Sequence, residues 1–146
     1  MNSFDNYIKA GKVKKKTPDP EEAKALLQQA SDRLEYTQEK KITEKNAKFV
    51  FENAYEAARE AAQSLMSSKG FKPYSHEATV VFVKEHYSFS DNEISLFDHF
   101  RKLRADSIYR AVKIVEKDAQ ECVEFSRKFV EKVKSFPAQS MEDEKS

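Results

Sequence analysis

Apolar residues recur at helical spacing along most of the chain. The clearest example is a stripe near the C-terminal end, where apolar or small residues alternate at separations of four and three: Val115, Ala119, Cys122, Ser126, Phe129, Val133 and Phe136. This period predicts a helix over about 117–136, which Pro137 ends. The stripe suits two roles, as part of the core or as the seam of a dimer.

Capping residues mark the starts of four further predicted helices. Each start has a side-chain oxygen that can accept a hydrogen bond from the first helical turn, and these residues are Asp19, Thr43, Ser75 and Ser90. The helix after Thr43 is expected to end at Gly70, where a left-handed residue is favoured, and Pro73 prevents its continuation. Residues 80–83 also suit a strand, but the run is short and follows a helix cap, so a helix is predicted there.

These elements predict an all-α fold, an up-and-down antiparallel bundle of four to five helices. The 146 residues suit one domain. The two Gly and four Pro disfavour a turn-rich β-sandwich. We expect a basic N-terminal arm over 1–17, the helical domain over 18–137 and a disordered acidic tail over 138–146. Three apolar residues in the arm are spaced for a short helix: Phe4, Tyr7 and Ile8.

The charge of the chain is balanced overall but uneven locally. Twenty-six basic residues against twenty-five acidic ones give a net charge of +1, which indicates no general affinity for nucleic acid. From 101 to 117, however, six basic residues stand against two acids, a local charge of +4. The lysines within residues 12–16 could bind phosphate groups, although short runs of lysine near a terminus more often only keep a chain soluble.

Cysteine usage and hydropathy indicate the compartment. Cys122 is the only cysteine, so an intramolecular disulfide and a zinc site of several thiolates are excluded. The chain has neither the apolar core of a signal peptide nor a run of about 18 apolar residues that could span a membrane. We therefore expect a cytoplasmic protein.

The residues that could bind metals or cofactors are sparse. His76, His86 and His99 are too scattered for a metal site, and His76 can simply cover a helix N-terminus. Gly11 and Gly70 are isolated, so neither a P-loop nor a dinucleotide fingerprint is present. We expect no metal and no cofactor.

The remaining candidates lie mainly near the end of the helix that Ser90 begins. Guanidinium groups there can bind a phosphate bidentately, and a nearby tyrosine can stack on a base. The candidate binding residues are Arg101, Arg104, Ser107 and Tyr109, with Arg59 on the preceding long helix. In the alternative interpretation, the arginines form ion pairs that hold helices together, with Glu56, Glu60, Asp98 or Asp106 as partners.

Three segments together carry a family resemblance: NAYEAAREAAQSLMSSKGFKPYSHEA, FDHFRKLRADSIYRAV and DAQECVEFSRKFVEKVK. Over about residues 8–136 the chain resembles HEPN-domain proteins of the small prokaryotic type, commonly encoded beside a minimal nucleotidyltransferase. The resemblance implies a helical bundle that usually dimerises and brings the polar motif of each subunit into one cleft.

In active members of the HEPN family, that motif is an Arg followed after four to six residues by a His, and it supports metal-independent RNA cleavage through the ribose 2′-hydroxyl. Arg104 matches the arginine, but Tyr109 follows after four residues, and no histidine follows His99. A tyrosine with a pKa near 10 is a poor general base at neutral pH. The motif therefore favours binding over cleavage. By analogy with related pairs, Tyr109 is also a candidate acceptor of a nucleotide.

The resemblance thus implies a homodimer that binds nucleotide or RNA and acts with a nucleotidyltransferase in a toxin-antitoxin-like module. Arg104 and Tyr109 would line the cleft, with Arg101, Ser107 and Arg59 in support. One alternative is a ribonuclease that takes its histidine from elsewhere, either His99 or His76 of the partner subunit. The other is a structural adaptor whose last helix docks a partner.

Overall fold

The computed structural model describes residues 2–137. The predicted all-α fold is confirmed, with only a small two-stranded sheet beside the helices. The elements of the described residues are α1 (Phe4–Lys9), β1 (Val13–Lys15), α2 (Pro20–Gln38), α3 (Ala47–Lys69), β2 (Phe71–Pro73), α4 (His76–His86), α5 (Asp91–Arg110) and α6 (Glu116–Ser135). The tail predicted over 138–146 lies outside the described residues.

Helix α3 is the centre of the bundle and packs most extensively against α2 and α6. Its alanines are fully buried, and these small side chains allow neighbouring helices to approach closely: Ala54, Ala57, Ala58, Ala61 and Ala62. Gly70 ends the helix in the left-handed conformation with φ +87°, as the sequence predicted. The helix begins at Ala47, later than expected, because Thr43 caps a separate turn by accepting from the Asn46 backbone N–H at 3.2 Å.

The apolar stripe on α6 belongs to the core. Five of its members are buried: Ala119, Cys122, Ser126, Phe129 and Val133. The Ser126 hydroxyl donates to the Ala54 carbonyl at 2.6 Å, which ties α6 directly to α3. Phe129 packs between the rings of Phe89 and Phe97, with centroid distances of 5.0 and 4.9 Å. The stripe is therefore occupied within the subunit and does not form a free docking face.

The segment expected to be a basic arm packs onto the helices in its described part. Phe4, Tyr7 and Val13 are buried in the core, and the short helix expected around Phe4 is present as α1. Strand β1 pairs antiparallel with β2, with Val13 opposite Pro73. Neither strand was predicted, because three residues are too few to show the alternating pattern of a strand. Residues 80–83, in contrast, are helical as predicted.

None of the helices within residues 2–137 combines the length and the apolar composition that crossing a bilayer requires.

Candidate functional site

Three polar side chains from three helices meet where α3, α5 and the first turn of α4 adjoin. The Tyr55 hydroxyl lies 2.9 Å from Nδ1 of His76, and the two rings are nearly parallel with centroids 5.9 Å apart. The guanidinium carbon of Arg104 lies 5.8 Å from the centroid of the Tyr55 ring. We call Tyr55, His76 and Arg104 the tyrosine cluster.

Local structure places each member of the cluster. Tyr55 is only 1% exposed on the central helix α3, so its position is fixed by the core. His76 is the first residue of α4, which begins there because the Ser75 hydroxyl accepts from the Ala78 backbone N–H at 3.2 Å. Arg104 is half-buried on α5. The buried Tyr55 therefore contacts both the first residue of α4 and Arg104 in the C-terminal half of α5.

The surroundings keep both ring groups of the pair uncharged at neutral pH. Burial raises the pKa of Tyr55 well above its usual value, although Arg104 and Arg59 nearby oppose this shift. Burial, and then the positive charges of Arg104 and Arg59, lower the pKa of His76 below 6.5. A neutral tyrosine can donate its hydrogen bond to a neutral imidazole, which leaves Nε2 of His76 protonated and able to donate to a ligand.

Arg59 lies close to the cluster, but a carboxylate neutralises its charge. Its Nε donates to Glu56 at 3.0 Å, and Nη1 donates to Gln63 at 2.8 Å. Burial tends to raise the pKa of Glu56, but the hydrogen bond and charge of Arg59 outweigh burial and lower it. Arg59 therefore pairs with Glu56, one of the carboxylates that the alternative interpretation named, but within α3 and not between helices.

Arg101 is also held by carboxylates. Its Nε donates to Asp98 at 2.8 Å, and Nη2 lies 3.4 Å from Glu77. The hydroxyl of Tyr7 donates to the same Glu77, so α1, α4 and α5 share one polar network. Burial tends to raise the pKa of Asp98, but the hydrogen bonds from Arg101 and Lys102 lower it overall.

Arg104 differs from these two arginines. It forms no ion pair with any residue within 2–137, and its guanidinium lies over the face of the Tyr55 ring. A cation over an aromatic face keeps its N–H donors directed at its edges, where they can bind an anion bidentately. Among the predicted arginines of the site, Arg104 thus retains an available positive charge.

Tyr109, which was expected to line the cleft with Arg104, does not join it at the tyrosine cluster. Tyr109 is 83% exposed, whereas Ser107 is only 6% exposed. Five residues along a helix correspond to about 140° of rotation, so Arg104 and Tyr109 lie on different faces of α5. Within one subunit, the structure does not bring these two residues together.

The sequence analysis missed His76 as a neighbour of Arg104 within one subunit. It named this histidine as a cover for the helix end and, in the ribonuclease alternative, as a residue that the partner subunit contributes. No local pattern connects it with Arg104, because their proximity arises from the packing of α4 and α5 on α3. Of the other histidines, His99 lines a separate groove of about 440 Å³ with Asp98 and Lys102.

Two larger grooves are also present. One of about 530 Å³ lies between α5 and α6, and one of about 830 Å³ lies beside α2, α3 and the end of α6. None of these three grooves is lined by a member of the tyrosine cluster. Within residues 2–137, no group of His, Cys, Asp and Glu is arranged to hold a metal ion. The chemistry of the cluster is therefore that of a cation with neutral hydrogen-bonding groups.

Comparison with known proteins finds a match to a protein family. A family model described as the HEPN domain matches residues 23–136, which run from the first turn of α2 to just beyond α6 and include the whole tyrosine cluster. No curated protein and no solved structure matches the chain.

Proposed function

Because the chain belongs to the HEPN-domain family, we propose that it binds nucleotide or RNA through the tyrosine cluster. The proposal includes a cytoplasmic homodimer that acts with a nucleotidyltransferase partner in a module of the toxin-antitoxin type. The single observation that carries the binding proposal is the half-buried Arg104, which has a tyrosine face beneath it and no ion pair among the described residues.

The charge balance around the cluster supports a phosphate ligand. Arg59 and Arg101 are neutralised by their carboxylates, so Arg104 supplies the attraction for an anion. His76 adds a neutral N–H donor when Tyr55 donates to its other nitrogen. An available guanidinium beside a neutral donor suits the oxygens of a phosphate group, which accept charge-assisted hydrogen bonds.

An exposed apolar patch supports the proposed association with another subunit or a partner. Four large apolar or aromatic side chains are at least 42% exposed around the junction of α5 and α6: Ile108, Tyr109, Val112 and Val115. Burial of this patch against a second copy would place Tyr109 in an interface close to the predicted motif. When that interface is not formed, Tyr109 is 83% exposed, which suits its proposed role as an acceptor of nucleotide from a nucleotidyltransferase.

Calorimetric titration with a short RNA and with ATP tests the binding proposal. Loss of a charge-assisted hydrogen bond costs about 1.5–3 kcal/mol, so Arg104→Ala should weaken binding by roughly tenfold to a hundredfold. Arg127→Ala is the matched control, because Arg127 is exposed and paired with Glu124 on α6. Undiminished binding by Arg104→Ala would remove the proposed site.

A ribonuclease is the second candidate, because His76 and Arg104 of one chain contact the same Tyr55 ring. With its pKa lowered, His76 is an unprotonated base at neutral pH. In the tautomer whose Nδ1–H donates to the Tyr55 oxygen, Nε2 of His76 would take the proton of the ribose 2′-hydroxyl while the 2′-oxygen attacks phosphorus and the 5′-oxygen leaves with a proton from water. Arg104 would stabilise the charge on the phosphoryl oxygens.

Incubation of the protein with RNA in the presence of a chelator tests this second candidate. Cleavage should produce a 2′,3′-cyclic phosphate, and it should disappear in His76→Gln but persist in His99→Gln. The absence of cleavage by the wild-type protein would eliminate the ribonuclease while leaving the binding proposal intact.

A further inference from the structure

The short sheet that joins the N-terminal segment to the helices forms a two-stranded ribbon. Lys14 lies opposite Lys72 in its register. The pairing continues beyond the strands, because the Tyr74 N–H donates to the Lys12 carbonyl at 2.8 Å and the Lys16 N–H donates to the Gly70 carbonyl at 2.9 Å. The ribbon therefore extends over residues 12–16 and 70–74.

Alternation along the two strands gives the ribbon an inner and an outer face. Val13 is 3% exposed and Phe71 packs against the core, so these two positions face the helices, whereas Lys15, opposite Phe71 in the register, is exposed. The intervening positions form the outer face, and they are Lys12, Lys14, Lys16, Lys72 and Tyr74. The outer face thus carries four lysines, one aromatic residue and no acid.

The arrangement of these charges is unfavourable for the ribbon alone. Like charges directly opposite one another in a sheet are destabilising, and Lys14 opposite Lys72 is such a pair. Lys16 is paired with Glu22 at 2.9 Å. The other three lysines of the outer face form no ion pair within the described part of the chain. A polyanion lying along the ribbon would relieve this repulsion.

Tyr74 indicates which kind of polyanion the outer face of the ribbon suits. Its side chain is 57% exposed, and Nζ of Lys72 lies 5.6 Å from its ring centroid. An exposed aromatic ring beside a row of cations is the arrangement by which proteins hold single-stranded nucleic acid, because an unpaired base can stack on the ring. Tyr74 also precedes His76 by only two positions, so the end of the ribbon adjoins the tyrosine cluster in the sequence.

We propose that the outer face of the ribbon binds the backbone of single-stranded RNA, with a base stacked on Tyr74, and leads the strand to the tyrosine cluster. This inference rests on the proposed function and adds a second binding surface to it. One half of the surface, residues 12–16, lies outside the 23–136 region that the family model matches.

Fluorescence anisotropy with a labelled single-stranded RNA of about twelve nucleotides, measured over a series of salt concentrations, tests the inference. The slope of log Kd against log salt should fall by about 1.4 in Lys14→Ala/Lys72→Ala, since each phosphate contact on a single strand contributes about 0.7. The matched control, Lys40→Ala/Lys41→Ala, removes the same charge from the loop after α2 and should keep the wild-type slope. Tyr74→Ala should weaken binding at least about fivefold, and Tyr74→Phe should restore it.

This assay tests RNA binding by the ribbon and by the tyrosine cluster separately. An unchanged slope in the lysine variant together with weaker binding by Arg104→Ala would overturn the ribbon and support the cluster. The opposite pattern would support the ribbon and overturn the cluster as the RNA site, and absence of RNA binding by the wild type would overturn both. Thermal unfolding controls for folding, because removing the Lys14 and Lys72 repulsion should leave the unfolding midpoint unchanged or raised.

Discussion

The hydroxyl of Tyr55 and Nδ1 of His76 are 2.9 Å apart, although the two residues belong to different helices. This hydrogen bond fixes the first turn of α4 against the centre of the bundle. Because Nδ1 of His76 takes part in this hydrogen bond, Nε2 is the ring nitrogen that remains available to a ligand.

Tyr55→Phe removes this hydrogen bond and keeps the ring beneath Arg104. We expect the free energy of unfolding to fall by about 1 kcal/mol, the usual net contribution of one hydrogen bond. Urea denaturation followed by circular dichroism gives this value. Tyr36→Phe is the control, since Tyr36 is 56% exposed and its substitution should leave the midpoint unchanged. Equal stability of the two variants would mean that the Tyr55 contact contributes nothing measurable.

The lowered pKa of His76 predicts a pH dependence of stability. The unfolded chain, with a histidine pKa near 6.5, binds a proton at a higher pH than the folded chain does. The free energy of unfolding should therefore decrease as the pH falls below about 6.5 and continue to do so until the folded-state pKa is reached. Urea denaturation at a series of pH values measures the slope.

His76→Gln should remove this contribution in the same pH range, because glutamine does not titrate. A proton NMR titration of the imidazole gives the pKa directly and should place it below 6.5. Matching stability slopes of the wild type and His76→Gln between pH 6.5 and the onset of carboxylate titration would contradict the prediction.

Tyr7→Phe tests the link between the N-terminal segment and the site. The Tyr7 hydroxyl donates to Glu77, a carboxylate that also contacts Arg101. Burial, and then this hydrogen bond, raise the pKa of Tyr7 to about 12, so its stabilising effect is fully present below pH 10 and is lost as the pH rises through about 12. At neutral pH we expect Tyr7→Phe to cost about 1–2 kcal/mol in urea denaturation. If Tyr7→Phe lowered the free energy of unfolding no more than Tyr36→Phe does, the hydrogen bond to Glu77 would not stabilise the N-terminal segment.

The two glycines form a matched pair for a backbone prediction. Gly11 and Gly70 both have positive φ, at +76° and +87°. A Cβ at Gly11 meets nothing within 4 Å, but one at Gly70 would lie 2.5 Å from the Lys16 carbonyl oxygen. Gly11→Ala should therefore cost only the conformational strain, about 1–2 kcal/mol.

Gly70→Ala should cost more than Gly11→Ala, because the ribbon must shift to accommodate the methyl group. Thermal unfolding of the two variants under the same conditions provides the comparison. Equal unfolding midpoints of the two variants would indicate that the backbone at Lys16 moves away from the added methyl group without loss of stability.

The helices were predictable because each carries its own local signals. Asp19, Ser75 and Ser90 each accept a backbone hydrogen bond at the helix start where the sequence placed them. Gly70 likewise has the left-handed conformation that its place at the helix end required. Such caps act over three or four residues and can be identified without knowledge of the fold.

The site depended on contacts that no local pattern encodes. Glu56 and Asp98, two of the four carboxylates that the alternative interpretation named, pair with Arg59 and Arg101 three positions along the same helix. The proximity of His76 to Arg104 instead requires the packing of α4 and α5 on α3. Tyr109 was paired with Arg104 through a family motif, but helical geometry places these residues on different faces of α5.

The ribbon combines one strand from inside the family-matched region with one from outside it. Strand β2 belongs to residues 23–136, whereas β1 comes from the segment before them. A chain that kept 23–136 and exchanged only its N-terminal segment would retain the tyrosine cluster but present a different outer face beside it. A change confined to these roughly twenty residues could therefore alter which ligand the protein binds, while the side chains of the tyrosine cluster stayed the same.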